Sequence, residues 1–569
     1  MSEKLREEFS AVDSNNKDAN ELDFTANEVG ARRTASVRGI ISKYQLWTLY
    51  LGIFLITFAI GIEQNLDTGL LNIALEEFKA NALTSVVSVL TELIGIIFIP
   101  LFSLLSDYFG RTELFFISLM FYFIGLIISF CSNNFATFVF ASTIKSIGST
   151  GYSIIKLVLM ADLTSLANRV NFNSVDMVPF VLCNWIGSYA ITPISENLDW
   201  RWSYKIPAIA FGPFVALFFG MMFYLQHKAK KQTITFVSVR HFGLKSGLKK
   251  IVNEFDLVGF ILLVVSLSCI MLPLIMAGDQ EDGWNTPSMI ALMVIGGLLL
   301  VGLIVWLYKY SKYPLIPMRF LRNSTTLGAM LIIFFVRMDS GLNWQYFTQY
   351  FMISRKLDPT SASLLFKGYQ MGYLVACLVT GILIKKMPNF KHLLIVGAII
   401  NCIGLGTMIP ARFPHSSDVL IHVTQTLSGI GQGIVDMCVI VAYQGSVSRK
   451  DVAIVTSTSQ LVLSIGSSVG GTIGGAIWTQ VVPQLINKYT KGNDIDYSRV
   501  LNEMNYVWDL PEQQFEQVIA GYGDGQMIIS GISCALAGLS LLVAIFMIKP
   551  IDVHNTQKFD DKIDDKEEE

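Results

Sequence analysis

The chain has 569 residues, of which 52% are hydrophobic and 15% charged, with a mean hydropathy of +0.51. That is too apolar for a soluble globular protein and points to a polytopic membrane protein. The net charge of -2 names no nucleic-acid or acidic partner, so the electrostatic information lies in where charges fall.

In chain order, residues 1–43 are polar and lack the apolar core of a signal peptide, which predicts a disordered tail. A bilayer-crossing helix needs about 20 mostly apolar residues. Runs of that length lie near 45–66, 82–105, 114–132, 135–158, 177–195, 205–226, 256–277, 287–308, 325–350, 360–384, 391–411, 418–445, 451–478 and 526–548, predicting about fourteen spanning helices. The segment 479–525 reads as an outer loop carrying seven acidic residues against three Lys or Arg, and 549–569 as an acidic tail.

Positive residues recur after every second span: Arg111, Arg169, Lys228 to Lys250, Lys309 to Arg322, Lys385 to Lys391, and Arg449 with Lys450. The alternate loops are neutral or acidic, so both termini are expected in the cytoplasm. Cys131, Cys183, Cys269, Cys377, Cys402, Cys438 and Cys534 all lie in apolar runs, with no CxxC pair or His-rich cluster, which reads as packing. No metal site, cofactor or catalytic group is expected. There is no GxxxxGK[ST] loop either, which argues against an ATP-driven pump.

Between the second and third spans, SLLSDYFGRTEL (103–114) sets Asp107 and Arg111 around a turn at Gly110. An acid and a base at neighbouring helix ends form either a conformational latch or a plain loop. The stretch is similar to the turn signature of the major facilitator superfamily, with Ser103 in place of its first glycine and Thr112 in place of its second basic residue. DWRWSY (199–204), EFDLVGFILL (254–263), YPLIP (313–317), GSVSRKDVAIVTS and SIGSSVGGTIGGAIW (within 445–478) together resemble the fourteen-helix fungal siderophore-iron transporters, over about 44–549. WRW and the Asp before the seventh span are shared with fourteen-helix drug:proton antiporters.

The resemblance implies an all-α fold: a six-helix bundle at 44–226, a basic cytoplasmic linker at 227–255, an additional helix pair at 256–323, and a second bundle at 324–548. A binding site would lie near the midplane and open alternately to each side. Gly466, Gly470 and Gly474, with Gly471 and Gly475, form a helix stripe without side-chain bulk, suited to close packing or to sliding.

Charges at membrane depth cost at least about 2.5 kcal/mol on insertion scales and face a bundle interior or a wet cavity. Arg337 and Asp339 stand two residues apart in LIIFFVRMDSGLNWQYF (331–347). On a helix they point about 200° away from each other, so each needs its own partner. Asp436 is the expected partner of Arg337, and Asp339 is expected to face the cavity with Asn343. Glu63, Asp339 and Asp436 qualify as proton-coupling carboxylates, with Glu92 a further intramembrane acid. The resemblance adds Lys145, near where facilitator proteins carry an arginine linked to proton coupling. Lys156, close to a helix end, is read as snorkelling. Trp344, Tyr346, Tyr350 and Tyr369, with Arg337 and Asn343, are candidates for lining the substrate cavity or for packing.

The resulting expectation is a non-enzymatic, proton-coupled secondary transporter bringing a ferric chelate across a fungal plasma, endosomal or vacuolar membrane, with protons and membrane lipids as its other partners. Two alternatives stay open: a proton-driven exporter of drugs, basic amino acids or glutathione-like peptides, or a haem transporter; and a non-transporting receptor on the same scaffold. NWIGSYAITPIS (184–195) lacks the Gly-Pro pair usual in the fifth span of drug exporters.

Overall fold

The computed structural model describes residues 42–78, 84–163, 166–232, 256–276, 286–311, 314, 317–387, 389–447, 451–490, 495, 500 and 504–550. The expectations for both tails, for the basic segment beyond residue 232, and for the side chains of Glu92 and Asp107 lie outside the described residues.

The described chain runs α1 (Lys43–Glu77), α2 (Thr84–Phe109), α3 (Arg111–Cys131), α4 (Phe135–Leu163), α5 (Leu166–Asn197), α6 (Trp202–Gln232), α7 (Leu257–Met276), α8 (Pro287–Lys309), α9 (Met318–Arg322) and α10 (Ser324–Trp344). It continues through α11 (Phe347–Arg355), α12 (Pro359–Leu365), α13 (Lys367–Lys386), α14 (Lys391–Ala411), α15 (Asp418–Gly445), α16 (Val452–Ala476), α17 (Val482–Tyr489), α18 (Met504–Trp508) and α19 (Glu512–Phe546). Among the described residues fourteen of these helices have 20 residues or more. Twelve spans of the described residues are long and apolar enough to cross a membrane by length and composition. The other two long helices are α2, whose described apolar stretch is Ile94–Ser106, and α4, diluted by its serines, Lys145 and Lys156.

Local chemistry sets several helix starts. Asn323 accepts from the backbone N–H groups of Thr325 and Thr326 at the head of α10, and Ser417 does the same for Leu420 in α15. Gly110 alone separates α2 from α3, and its φ of 102° is a conformation only glycine takes without strain.

Both helices flanking the expected outer loop reach further than hydropathy suggests. After α16 the chain passes through a π-helical turn, Ile477–Val481, directly into α17. The last helix starts at Glu512, where EQQFEQ is too polar to register as apolar but turns its Val518 and Ile519 into the core. The connection between them is therefore 490–511.

Helices α1 to α6 share one apolar core, centred on Ile53, Ile56, Phe115, Leu119, Tyr122 and Phe218. A second core gathers α9, α10 and α13 to α16 with the end of α19. The α7–α8 pair packs beside both, through α2 and α16. Of the α8 span only 11% is buried inside the protein, against 78% for α15, so α8 is an outer wall and α15 a central pillar.

The two halves meet along α5 with α13 and α15, and along α2 and α4 with α16. Ile154 and Val158 of α4 share an apolar cluster with Leu461 of α16, and Ser174 of α5 donates to the Cys377 carbonyl at 2.7 Å.

Glycine makes the tightest approach, between α10 and α16. A Cβ on Gly470 would stand 2.0 Å from the Met338 carbonyl, and one on Gly466 would stand 2.7 Å from that of Phe334. The glycine stripe is thus a backbone-to-backbone helix contact, as its spacing predicts.

Candidate functional site

Among the described residues, three buried ion-paired clusters and the polar surroundings of Asp339 lie inside the helix assembly. In the first, Glu63 and Asp67 sit one turn apart on α1 and converge on Lys145 of α4, at 2.5 and 2.8 Å. Tyr122 of α3 donates to Glu63 at 2.6 Å, and the Tyr204 hydroxyl of α6 donates to Asp67. Glu63 is almost fully enclosed, whereas the Asp67 side chain keeps 27% of its surface open. Two carboxylates share one cation here, so the cluster carries a net negative charge whenever both are ionised.

In the second, Lys156 pairs with Asp176 of α5 at 2.5 Å, and Thr57 donates to the other Asp176 oxygen at 3.1 Å. Lys156 therefore does not snorkel. Its side chain is 7% exposed and its ammonium lies over the Tyr152 ring, because a carboxylate inside the bundle is a better partner than the distant interface.

The third cluster is built on Arg337. Its Nη2 meets Asp436 Oδ2 of α15 at 2.6 Å, and Tyr373 of α13 donates to the same oxygen at 2.8 Å. Beside it, Tyr369 donates to Gln432 at 2.8 Å and Gln432 donates to Ser340 at 2.9 Å. The Arg337 side chain is 28% exposed, so the pair borders open space. Trp344 stacks near Tyr369, with ring centroids 4.5 Å apart.

Asp339 lies elsewhere. It points toward α14 and α19, is 2% exposed and faces Ser533 and Arg412. The expectation that it shares the cavity with Asn343 is corrected: both are buried in the packing between helices, and it is Arg337 that borders open space. A 200° separation on α10 puts one charge on each side; which side is which depends on the neighbours.

Tyr350 is also placed away from open space, fully buried and donating to the Arg412 carbonyl at 2.6 Å. Tyr346 stacks on Trp478 with centroids 4.8 Å apart. At the α2–α3 turn, Arg111 is buried and lies 3.5 Å from the Ser106 hydroxyl.

Sequence reasoning missed Asp67, Asp176, Tyr122, Tyr204, Tyr373 and Arg412. Asp67 was detectable, since it follows Glu63 by four residues on one helix face; Asp176 and Arg412 carry no local pattern linking them to their partners. Two signature motifs prove structural. Arg201 binds Glu77 at 3.0 Å and the Ser132 carbonyl at 3.0 Å, with its guanidinium over the Trp200 ring, tying α1, α3 and α6 together. Asp256 accepts from the Gly259 N–H, Trp306 and Ser311, capping α7 and fastening it to α8.

An all-helical chain with this many spans and with ion pairs enclosed between its helices is an integral multi-pass membrane protein. The family model described as Major Facilitator Superfamily matches residues 47–354 and 329–486. The chain belongs to that superfamily. It is 26% identical to MFS siderochrome iron transporter C of Aspergillus fumigatus, over 85% of this chain and 80% of that protein. It is 28% identical to Siderophore iron transporter 1 of Schizosaccharomyces pombe, over 92% and 85%. Among solved structures, the proton:xylose symporter XylE aligns with a TM-score of 0.54 at 13% identity, covering 91% of this chain and all of that one, a likeness of fold.

Proposed function

We propose that this protein is a secondary transporter that carries a ferric siderophore inward, coupled to protons, with both termini in the cytoplasm of a fungal cell. The observation that carries the reading is similarity along 92% of the chain to a protein named as a siderophore iron transporter. Iron travels as substrate inside its organic ligand, so the protein needs no metal site of its own. Arg337, held by Asp436 and Tyr373 at the edge of open space, supplies positive charge and hydrogen-bond donors to a polar chelate. Tyr369 and Trp344 supply flat apolar surface beside it.

Glu63, Asp67 and Lys145 suit coupling, because a proton added to either carboxylate changes the charge of an enclosed cluster and with it the balance between conformations. Asp107, Gly110 and Arg111 act as the latch at the cytoplasmic end of α2 and α3.

The test is uptake of a panel of radioiron chelates, with free iron, haem and labelled drugs alongside, in cells lacking other iron carriers. Accumulation of one or more ferric siderophores that collapses with a protonophore is the expected result. Accumulation of haem alone, or outward movement of drugs or amino acids, would replace this reading. Binding without transport would make the protein a receptor.

A further inference from the structure

Behind α10, on the side away from Arg337, the structure holds a charged group that the proposed substrate site does not use. Both carboxylate oxygens of Asp339 are buried without a hydrogen-bond partner, as are Oδ1 of Asn343, one turn along the same helix, and the hydroxyl of Ser533 on α19. Facing them is Arg412, at the end of α14 and 2% exposed. Its Nη1 donates to the Asn343 carbonyl at 3.2 Å and to Gln526 Oε1 at 2.5 Å, and its Nη2 to the same carbonyl at 3.3 Å. Its plane packs near the Trp344 and Phe347 rings. A buried acid and a buried base thus share one dry compartment, yet the base spends its donors on neutral oxygens.

This arrangement separates Asp339 from the carboxylates of the other three clusters. Glu63, Asp67, Asp176 and Asp436 each meet a Lys or Arg within 2.8 Å. A buried carboxylate with no cation bound to it and only the Ser533 hydroxyl as a neighbouring donor is costly as an anion and far less so as a neutral acid. The protonated group is also the one that fits its surroundings, since it turns an acceptor into a donor next to unfilled acceptors at Asn343 and Ser533. A metal cation would have to sit against a guanidinium, which repels it, whereas a proton is absorbed into a covalent bond.

We infer that Asp339, with Asn343, Ser533 and Arg412 around it, is a proton-binding site in which Arg412 is the exchangeable partner. With the proton on, Arg412 rests on the Asn343 carbonyl and Gln526; with the proton off, it turns to the Asp339 carboxylate. The other ionisable groups facing Asp339 are Tyr369 of α13 and Cys534 of α19, which neighbours Cys402 of α14; α16 faces α10 with glycines. Because α10 carries Arg337 two residues away, a change in how α10 is held on this side reaches the substrate side through one rigid helix. The inference deepens the proton-coupled reading above and rests on it for its role in transport.

Infrared difference spectroscopy of the purified full-length protein between acidic and alkaline buffer tests the site without transport. The expected result is a protonated-carboxyl C=O band that is lost in Asp339→Asn and displaced in Asp339→Glu. A band unchanged in Asp339→Asn, or none in the unaltered protein, overturns the inference. In proteoliposomes supplied with a radioiron-labelled ferric trihydroxamate, Asp339→Asn should lose accumulation driven by a pH gradient at least tenfold while exchange persists. Full pH-driven accumulation by that variant, or accumulation driven by a sodium gradient alone, also overturns it. If the unaltered protein moves the chelate but ignores the pH gradient while the band belongs to Asp339, the proton-coupled reading fails and the site stands.

Discussion

Asp436 is enclosed, its side chain 8% exposed, whereas Arg337 borders open space. Arg337→Leu should lower stability by about 3–5 kcal/mol by stranding the aspartate, and Asp436→Leu by less, because the freed guanidinium already reaches open space. The double substitution should recover much of that loss in melting of the detergent-solubilised protein, and additive losses would show that the pair contributes nothing. Glu77, outside the spans, behaves oppositely. Hydrogen bonds from Arg201 and Trp200 hold its carboxyl below the usual glutamate range, so its contribution is full above that range and lost as pH falls through it. Because Glu77 is about half exposed, Glu77→Gln should cost less than about 1 kcal/mol near neutral pH. Melts repeated in acid should show that cost vanishing. At this scale the sequence was legible where geometry is local. The divergence of Arg337 and Asp339 follows from a helix angle and two residue numbers, whereas the pairing of Lys156 with Asp176 depends on how α4 and α5 are docked, which no spacing encodes.

Between helices, closeness is set by what is missing from the side chain. Gly470→Leu would drive its Cβ into the Met338 carbonyl, pushing α16 off α10 at a cost of about 1–3 kcal/mol or more. Gly212→Ala, with nothing within 4 Å of its new methyl, should change little. Comparing the abundance and melting of the two variants checks the seam, and equal behaviour would deny it a packing role. The glycine stripe was readable because its four-residue period is itself the geometry of a helix face. Helix ends were read less well. Hydropathy marks where lipid begins, and α17 and the first turns of α19 are held by protein instead, through Val482, Ile486 and Val518 in an apolar cluster with Tyr350 and Trp478.

For the whole molecule, the described residues hold fourteen long helices, an even number, in keeping with the proposed placement of both ends on the cytoplasmic side. Epitope tags at the two ends should both be accessible only after permeabilisation, and a tag that stains on intact cells would reverse the proposed orientation. On the proposed latch role, Asp107→Asn and Arg111→Ala should leave surface abundance intact while slowing uptake several-fold; unchanged uptake in both would remove the latch from the mechanism. The transporter class is legible from composition and span count together with the α2–α3 turn. The ferric chelate is not, because the residues bordering Arg337 are ones that many polar ligands would suit. That part of the reading comes from resemblance along the chain.

The π-helical turn at Ile477–Val481 holds one residue more than an α-turn would. The extra residue is taken up in the wide turn itself, so the helix on either side of it keeps its faces. A further residue inserted after Val481 would have no such turn to absorb it and would rotate everything beyond by about 100°. Val482 and Ile486, both fully buried, would swing out of their cluster. Abundance and melting should therefore suffer far more from that single insertion than from conservative apolar substitutions across 477–481.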